Sequence, residues 1–278
     1  MSASEKKHPF HLVDPSAWPL LGAFAAMTMM VGGVLFMHNN PLGKIIGPLG
    51  LVGVLAVMFV WWRDVVKEAH VDKAHNQTVR HGLRLGMALF ILSEVMFFAV
   101  FFWGFFKAAL FPQILLNGAT HIFENDSIVR GTWPPEGIKP LDPWHIPFIN
   151  TLILLLSGTT VTWAHYALYE GKRRDMVTGL LLTVLLGMTF TGLQAYEYMS
   201  ADFKFTGGIY PSVFYMATGF HGAHVLIGSI FLTICLFRAS KGHFNQNHHL
   251  GLEFAAWYWH FVDVVWLFLF SCVYIWGA

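Results

Sequence analysis

The 278-residue chain is 55% hydrophobic and only 12% charged, whereas a soluble domain usually carries about 25% charged residues. This composition excludes an ordinary water-soluble domain, because so much apolar surface must face lipid. The net charge of +1 gives no reason to expect a nucleic acid or a polyacidic partner, and the two distant cysteines, Cys235 and Cys272, indicate neither a disulfide framework nor a zinc knuckle.

A polar N-terminal segment, residues 1–17, opens the chain and lacks the apolar core and cleavage site of a signal peptide. Apolar runs of about the 20 residues that a membrane helix needs follow it. They predict seven spans, at roughly 18–38, 45–66, 83–110, 146–170, 176–199, 210–238 and 251–276. We therefore expect an all-α, polytopic membrane protein.

The basic residues predict the orientation of these spans, because cytoplasmic loops carry more lysine and arginine. With the N-terminus in the cytoplasm, twelve basic residues lie inside and five outside. The inner set is Lys6, Lys7, Arg63, Lys67, Lys73, Arg80, Arg84, Lys172, Arg173, Arg174, Arg238 and Lys241, and the outer set is Lys44, Lys107, Arg130, Lys139 and Lys204. We expect the N-terminus inside and the C-terminus outside.

Glu94 lies about eleven residues into the third span, roughly 16 Å deep at 1.5 Å per residue. A charged side chain at that depth costs at least about 2.5–3.5 kcal/mol, so burial favours the neutral acid. One interpretation is a carboxyl that exchanges protons or contacts lipid, and the other is a neutral acid hydrogen-bonded between helices. We favour the first, because ionisable groups inside a membrane are usually functional.

Other polar residues in the spans suggest a structural network. Asp263 shares a helix face with His260, three residues earlier, so the two should pair. Glu253, near the inner start of the last span, could reach Arg238 or the pair His248–His249.

Histidines within the spans raise the question of haem or metal. His165, His221, His224 and His260 could supply ligands from facing helices. A His-x-x-His spacing without a nearby carboxylate or cysteine is a weak metal motif. We favour interhelical hydrogen bonds for these histidines, and we predict no metal ligand and no catalytic residue in the chain.

Trp61, Trp62 and Arg63 end the second span with two aromatic rings and a cation. This order is typical of a membrane interface, and the guanidinium would also suit a phospholipid phosphate. Arg84 and Arg238 are expected at the same inner level.

Contiguous motifs along nearly the whole chain resemble the cytochrome c oxidase subunit III family. They are Trp18-Pro19-Leu20, Trp61-Trp62-Arg63-Asp64-Val65, Gly82-Leu83-Arg84, Ser93-Glu94-Val95-Met96-Phe97-Phe98, Thr162-Trp163-Ala164-His165, Gln194-Ala195-Tyr196-Glu197-Tyr198, Thr218-Gly219-Phe220-His221-Gly222-Ala223-His224-Val225, and the run from His248 to Leu267. The last two are long and highly specific.

The resemblance implies a non-redox core subunit of a haem–copper oxidase of the haem a type. Such an oxidase transfers electrons from cytochrome c to dioxygen and pumps protons in aerobic respiration. The expected partners are subunits I and II, which carry the haem and copper, so that this chain would bind phospholipids but no redox cofactor. It would stabilise subunit I and support its proton uptake.

The family fold implies a domain division. The N-terminal segment 1–17 precedes a two-helix bundle at 18–66, an inner loop at 67–82 and a five-helix bundle at 83–278, with phospholipids in a cleft. Family lipid contacts carry over to Trp61, Trp62, Arg63, His75, Arg84, Glu94, His224 and Arg238. Glu94 matches the buried carboxyl that reacts with carbodiimide in the family, and His221, His260, Asp263 and Glu253 remain a structural polar network.

The outer stretch Asn117–Thr132 is longer than in mitochondrial relatives. We therefore expect the inner (plasma) membrane of a bacterium, with the mitochondrial inner membrane as the alternative. Two other functions stay open on the residues alone: a membrane haem protein with bis-histidine ligation, and a proton carrier that uses Glu94.

Overall fold

The computed structural model describes residues 15–71, 75–115 and 128–277. Within these ranges seven helices are long and apolar enough to cross a membrane, as the sequence predicts. They are α1 (Trp18–Met37), α2 (Gly43–His70), α3 (Gln77–Leu110), α4 (Ile146–Tyr169), α5 (Arg173–Ser200), α6 (Ile209–Ser240) and α7 (Leu250–Leu269), the last continued by a π-helical turn, Phe270–Ile275.

Two helices extend beyond their predicted ends. α2 continues to His70 and α3 begins at Gln77, so most of the predicted inner loop 67–82 is helical. The reason is that an apolar run marks only the part of a helix that suits hydrocarbon, whereas the helix can continue into water with polar side chains.

The connection between α3 and α4 contains a short antiparallel ladder that the sequence did not predict. β1 (Gln113–Leu115) pairs with β2 (Ile128–Arg130). Residues 117–127 of the predicted outer stretch Asn117–Thr132 lie outside the described residues. Residues 1–14 of the N-terminal segment also lie outside them.

The chain divides into two compact units, Met1–Leu83 and Arg84–Ala278, here called the two-helix unit and the five-helix unit. In the two-helix unit, glycines bring the backbones of α1 and α2 into direct contact. A Cβ at Gly32 would overlap the backbone of Gly47, and one at Gly50 would overlap the backbone of Met29. Small residues are what allow such close approach between membrane helices.

Gly32→Ala is expected to destabilise the two-helix unit by about 1–3 kcal/mol, the usual cost of overpacking. The neighbouring Gly33 provides the matched control, because a Cβ there meets nothing within 4 Å and alanine favours a helix over glycine. Thermal unfolding of detergent-solubilised protein should show a lower midpoint for Gly32→Ala only. Equal midpoints for the two variants would contradict the close packing of α1 on α2.

In the five-helix unit α7 is the most buried helix, and two tryptophans fix its position against α4. Trp259 donates its indole N–H to Ser157 Oγ at 2.8 Å, and Trp266 donates to Thr151 Oγ1 at 2.9 Å. The Trp259 ring also lies where a Cβ at Gly187 would stand, 2.7 Å from one ring carbon. These contacts fix the α7 residues that line the candidate sites.

A glycine with positive φ follows the end of both α4 and α6: Gly171, with φ of 73°, and Gly242, with φ of 76°. After α6, His243 N donates to Arg238 O and Gly242 N to Ala239 O, the pattern of a helix end closed by a left-handed glycine. The backbone at Arg238 is therefore fixed, and its side chain leaves the end of α6 in a defined direction.

Candidate functional site

The first site pairs Glu94 of α3 with His224 of α6. Glu94 Oε2 lies 2.8 Å from His224 Nε2, and the two side chains are 21% and 12% exposed. The Phe98 ring centroid lies 4.9 Å from the His224 ring, and the Tyr258 ring lies 6.4 Å from it on the α7 side. The pair is therefore held in a largely aromatic environment.

The hydrogen bonds of His224 limit the charge that this pair can carry. Its Nδ1 lies 2.6 Å from the carbonyl oxygen of Phe220, so Nδ1 carries a proton and donates it. Nε2 then either accepts from a protonated Glu94 or donates to a Glu94 carboxylate. Both arrangements share one proton and have no net charge, so the mid-membrane position does not leave an isolated charge.

The sequence places Glu94 among apolar neighbours of its own helix but does not identify His224 as its partner. Both residues lie near the middle of long helices, Glu94 in α3 and His224 in α6. Two polar side chains at the same depth in the membrane can pair if their helices are neighbours, and this equal depth is readable from the sequence.

The second site lies at the end of the five-helix unit where α7 begins, the end that the sequence predicts to be the inner one. Arg84 donates to Glu253 from Nε at 2.8 Å and from Nη2 at 2.9 Å, the two-pronged geometry of the strongest arginine–carboxylate pairs. The Glu253 side chain is 9% exposed and that of Arg84 is 42% exposed. His249 Nε2 lies 4.0 Å from Glu253 Oε2 and 3.2 Å from the Tyr169 hydroxyl.

The sequence predicts that Glu253 reaches Arg238 or the pair His248–His249. Glu253 does contact His249, at 4.0 Å, but its shorter bonds are to Arg84 and it forms no ion pair with Arg238 among the described residues. Arg84 takes the carboxylate although it lies 169 residues away in the sequence, because α3 brings its inner end to the start of α7. A search restricted to nearby residues could not find this pair.

Arg238 is half-buried at the same inner end. Its guanidinium carbon lies 4.6 Å from the centroid of the Phe244 ring, a cation–π contact. Its Nη1 would lie 2.9 Å from a Cβ at Gly251. Its Nε is buried without a hydrogen-bond partner, and no carboxylate of the described part of the chain forms an ion pair with it.

The remaining residues carried over as lipid contacts belong to the two-helix unit. Trp61, Trp62 and Arg63 are exposed near the inner end of α2, and Arg63 Nη2 lies 3.4 Å from Asp64 Oδ1. The other oxygen of Asp64 accepts the Trp18 indole N–H at 2.9 Å. His75 lies two residues before α3.

The predicted polar network consists of local contacts rather than one cluster. His260 Nδ1 lies 3.7 Å from Asp263 Oδ2, the contact that the spacing predicts, and His260 Nε2 lies 3.1 Å from Thr162 Oγ1. His221 Nε2 lies 3.2 Å from the carbonyl oxygen of Val262. Over the described ranges, no group of three or more His, Cys, Asp and Glu residues is placed to hold a metal ion.

One buried carboxyl, Glu197 of α5, was not singled out as a site from the sequence. It is 1% exposed and accepts a hydrogen bond from the Tyr274 hydroxyl at 2.6 Å. Glu197 falls near the end of the predicted fifth span, 176–199, and α5 itself ends at Ser200.

Comparison of the sequence with known proteins assigns the chain to a family. The family model described as "Cytochrome c oxidase subunit III" matches residues 8–278. A "Probable cytochrome c oxidase subunit 3" of Rickettsia bellii (strain RML369-C) is 60% identical over 275 residues, which cover 98% of this chain and 97% of the relative.

Relatives from algae and plants are similar over the same length. The "Cytochrome c oxidase subunit 3" of Prototheca wickerhamii is 53% identical over 98% of this chain and 99% of its own, and that of Arabidopsis thaliana is 52% identical over 98% of each. These matches confirm the resemblance that the motifs indicated. The chain belongs to the cytochrome c oxidase subunit III family and is part of this membrane-embedded oxidoreductase complex of the respiratory chain.

Proposed function

We propose that the chain is the non-redox core subunit of the oxidase, which stabilises subunit I, binds phospholipid headgroups at the inner membrane surface and supports proton uptake. Haem and copper belong, in this proposal, to the partner subunits I and II. The observation that carries the lipid-binding part is the half-buried guanidinium of Arg238, which has no carboxylate partner in the described chain.

The charges around Arg238 favour an anionic ligand. Its Nη1 lies next to Gly251 in the first turn of α7, and Arg84 binds Glu253 two residues further along. Two guanidinium groups, those of Arg84 and Arg238, therefore lie near one carboxylate that only Arg84 binds, at the start of a helix, where the helix dipole adds positive potential. A phosphate oxygen matches the planar donors of a guanidinium.

The inner end of α2 supports the same assignment from the two-helix unit. Trp61 and Trp62 are both exposed and directly precede the exposed Arg63. Tryptophan at the interface and an adjacent cation are suited to the headgroup region of a bilayer. We propose that Trp61, Trp62, Arg63 and His75 contact lipid headgroups as well.

Arg238→Leu is expected to reduce the phospholipid that copurifies with the oxidase, with about tenfold weaker retention, because a hydrogen bond to a charged group contributes roughly 1.5–3 kcal/mol. Arg174→Leu is the matched control, since Arg174 is an exposed arginine at the start of α5. Lipid phosphorus per complex after detergent washing measures the effect. Equal phosphorus in the two variants would remove the support for a headgroup site.

Three of the four histidines considered as haem ligands support the cofactor part of the proposal through their contacts. His221, His224 and His260 use ring nitrogens in hydrogen bonds to protein groups on other helices. His165 Nε2, in contrast, is buried without a hydrogen-bond partner among the described residues. We therefore expect the purified chain to contain neither iron nor copper in stoichiometric amount, and to show no Soret band. Either signal in metal analysis or in the optical spectrum would support the bis-histidine alternative instead.

The proposed membrane is the bacterial plasma membrane, with the N-terminus in the cytoplasm and the C-terminus in the periplasm. The excess of basic residues on the inner side of the seven spans supports this orientation. The similarity to a rickettsial protein supports a bacterial source, while the algal and plant relatives keep the mitochondrial inner membrane as the alternative.

A further inference from the structure

The outer half of the five-helix unit contains Glu197, three residues before the end of α5. Its Oε1 accepts from the Tyr274 hydroxyl at 2.6 Å and lies 3.4 Å from Gln194 Nε2. Gln194 Nε2 also lies 3.4 Å from the Tyr274 oxygen. Glu197, Gln194 and Tyr274 thus form one contact group, with exposures of 1%, 4% and 1%.

Aromatic rings close this group off. The Tyr274 ring lies 5.3 Å from that of Phe214 and 5.7 Å from that of Trp266, while the Trp266 ring lies 4.8 Å from that of Phe190. Among the described residues the side-chain partners of Glu197 are Gln194 and Tyr274, and none is a cation. A buried, unpaired carboxylate costs several kcal/mol even after the protein relaxes, so the neutral acid is the stable form.

The hydrogen bonds place the proton of that acid. Oε1 already receives the Tyr274 hydroxyl proton, and the Gln194 amide points a second donor at it. The acid proton therefore belongs on Oε2. Glu197 Oε2 is buried and has no hydrogen-bond partner among the described residues, and the same holds for Gln194 Oε1.

The two partnerless atoms are chemically complementary through water. The protonated Oε2 is a donor, the Gln194 Oε1 is an acceptor, and a water molecule can accept from the first while it donates to the second. Ordered water molecules in protein interiors typically bind buried polar groups that no protein group satisfies.

The end of α7 builds the site. Trp276 N donates to Ser271 O, five residues earlier, at 3.1 Å, so the backbone makes a π-helical turn that contains Tyr274. Wide turns of this kind often occur at functional sites because they redirect a side chain. Here the turn contains the side chain that binds Glu197.

We propose that Glu197 is a neutral acid whose Oε2–H binds an ordered internal water molecule shared with Gln194 Oε1. The site binds water within the membrane-spanning bundle, closed by the aromatic rings of α5, α6 and α7. It is independent of the headgroup site at the inner end, and it needs neither a metal nor a free anion.

A density map of the intact oxidase at a resolution that shows ordered water tests the site directly. The proposal expects a water peak within hydrogen-bonding distance of both Glu197 Oε2 and Gln194 Oε1. Glu197→Gln should keep this peak, because its amide N–H replaces the acid O–H, whereas Glu197→Met should lose it. A wild-type map without the peak, or with Oε2 bonded directly to a protein atom after the Gln194 amide is reversed, overturns the proposal.

Infrared spectra of the same complexes test the protonation. The difference between wild type and Glu197→Gln should contain one carboxylic-acid C=O band, which shifts in D₂O. Glu170→Gln is the control, because Glu170 is exposed and lies 2.7 Å from Lys172 Nζ; that difference should contain a carboxylate band. A carboxylate band for Glu197 would overturn the neutral-acid assignment without affecting the headgroup proposal.

Discussion

Glu94→Lys is expected to prevent stable assembly of the chain with subunit I, whereas Glu94→Gln is expected to assemble normally. Glutamine has the same shape as the acid and can still hydrogen-bond His224 Nε2, which lies 2.8 Å from Glu94 Oε2. Lysine places a cation beside a histidine and several aromatic rings, and a charge at the bilayer centre costs at least about 2.5–3.5 kcal/mol.

The assay is the amount of the chain that copurifies with subunit I from membranes containing each variant. Glu94→Gln also separates two roles of the carboxyl. A structural partner of His224 tolerates the amide, but a proton carrier does not. An unchanged proton-uptake rate in vesicles containing Glu94→Gln oxidase would therefore indicate the structural role, and a lost rate would indicate proton exchange. Equal assembly of the lysine and glutamine variants would show that the Glu94 site is not a low-dielectric environment.

The sequence predicts those structural features that depend only on residues close together along the chain. The spans follow from local composition, because hydrocarbon requires an uninterrupted apolar helix. The His260–Asp263 contact also follows, since spacing along one helix sets it. The polar ends of α2 and α3 were missed because residues 67–82 no longer need to be apolar once they leave the hydrocarbon.

Contacts between distant helices were the part that the sequence could not predict. Arg84 and Glu253 are each recognisable as costly residues near the inner surface, but their pairing depends on which helices are neighbours. The same holds for Glu94 with His224 and for Glu197 with Tyr274. In each case composition shows that a partner is needed, and only the fold shows which one.

Arg84→Leu is expected to destabilise the five-helix unit by about 3 kcal/mol, near the lower end of the cost of breaking a buried ion pair. The penalty arises at Glu253, whose side chain is only 9% exposed and loses both short hydrogen bonds. The exposed part of Arg84 moderates the loss, as does His249 at 4.0 Å from Glu253. Thermal unfolding of the solubilised oxidase measures the change.

The double variant Arg84→Leu with Glu253→Leu separates this explanation from a simple loss of packing. If the cost comes from a carboxylate left without its partner, removing that carboxylate as well should restore most of the stability, because an apolar replacement of a buried pair is often nearly neutral. If Arg84 acts mainly through its own contacts, the two losses should add. The double variant keeps Arg238, which then remains as the main cation for a phosphate at this end. If the double variant folds stably, its lipid retention should therefore survive the loss of the Arg84–Glu253 pair.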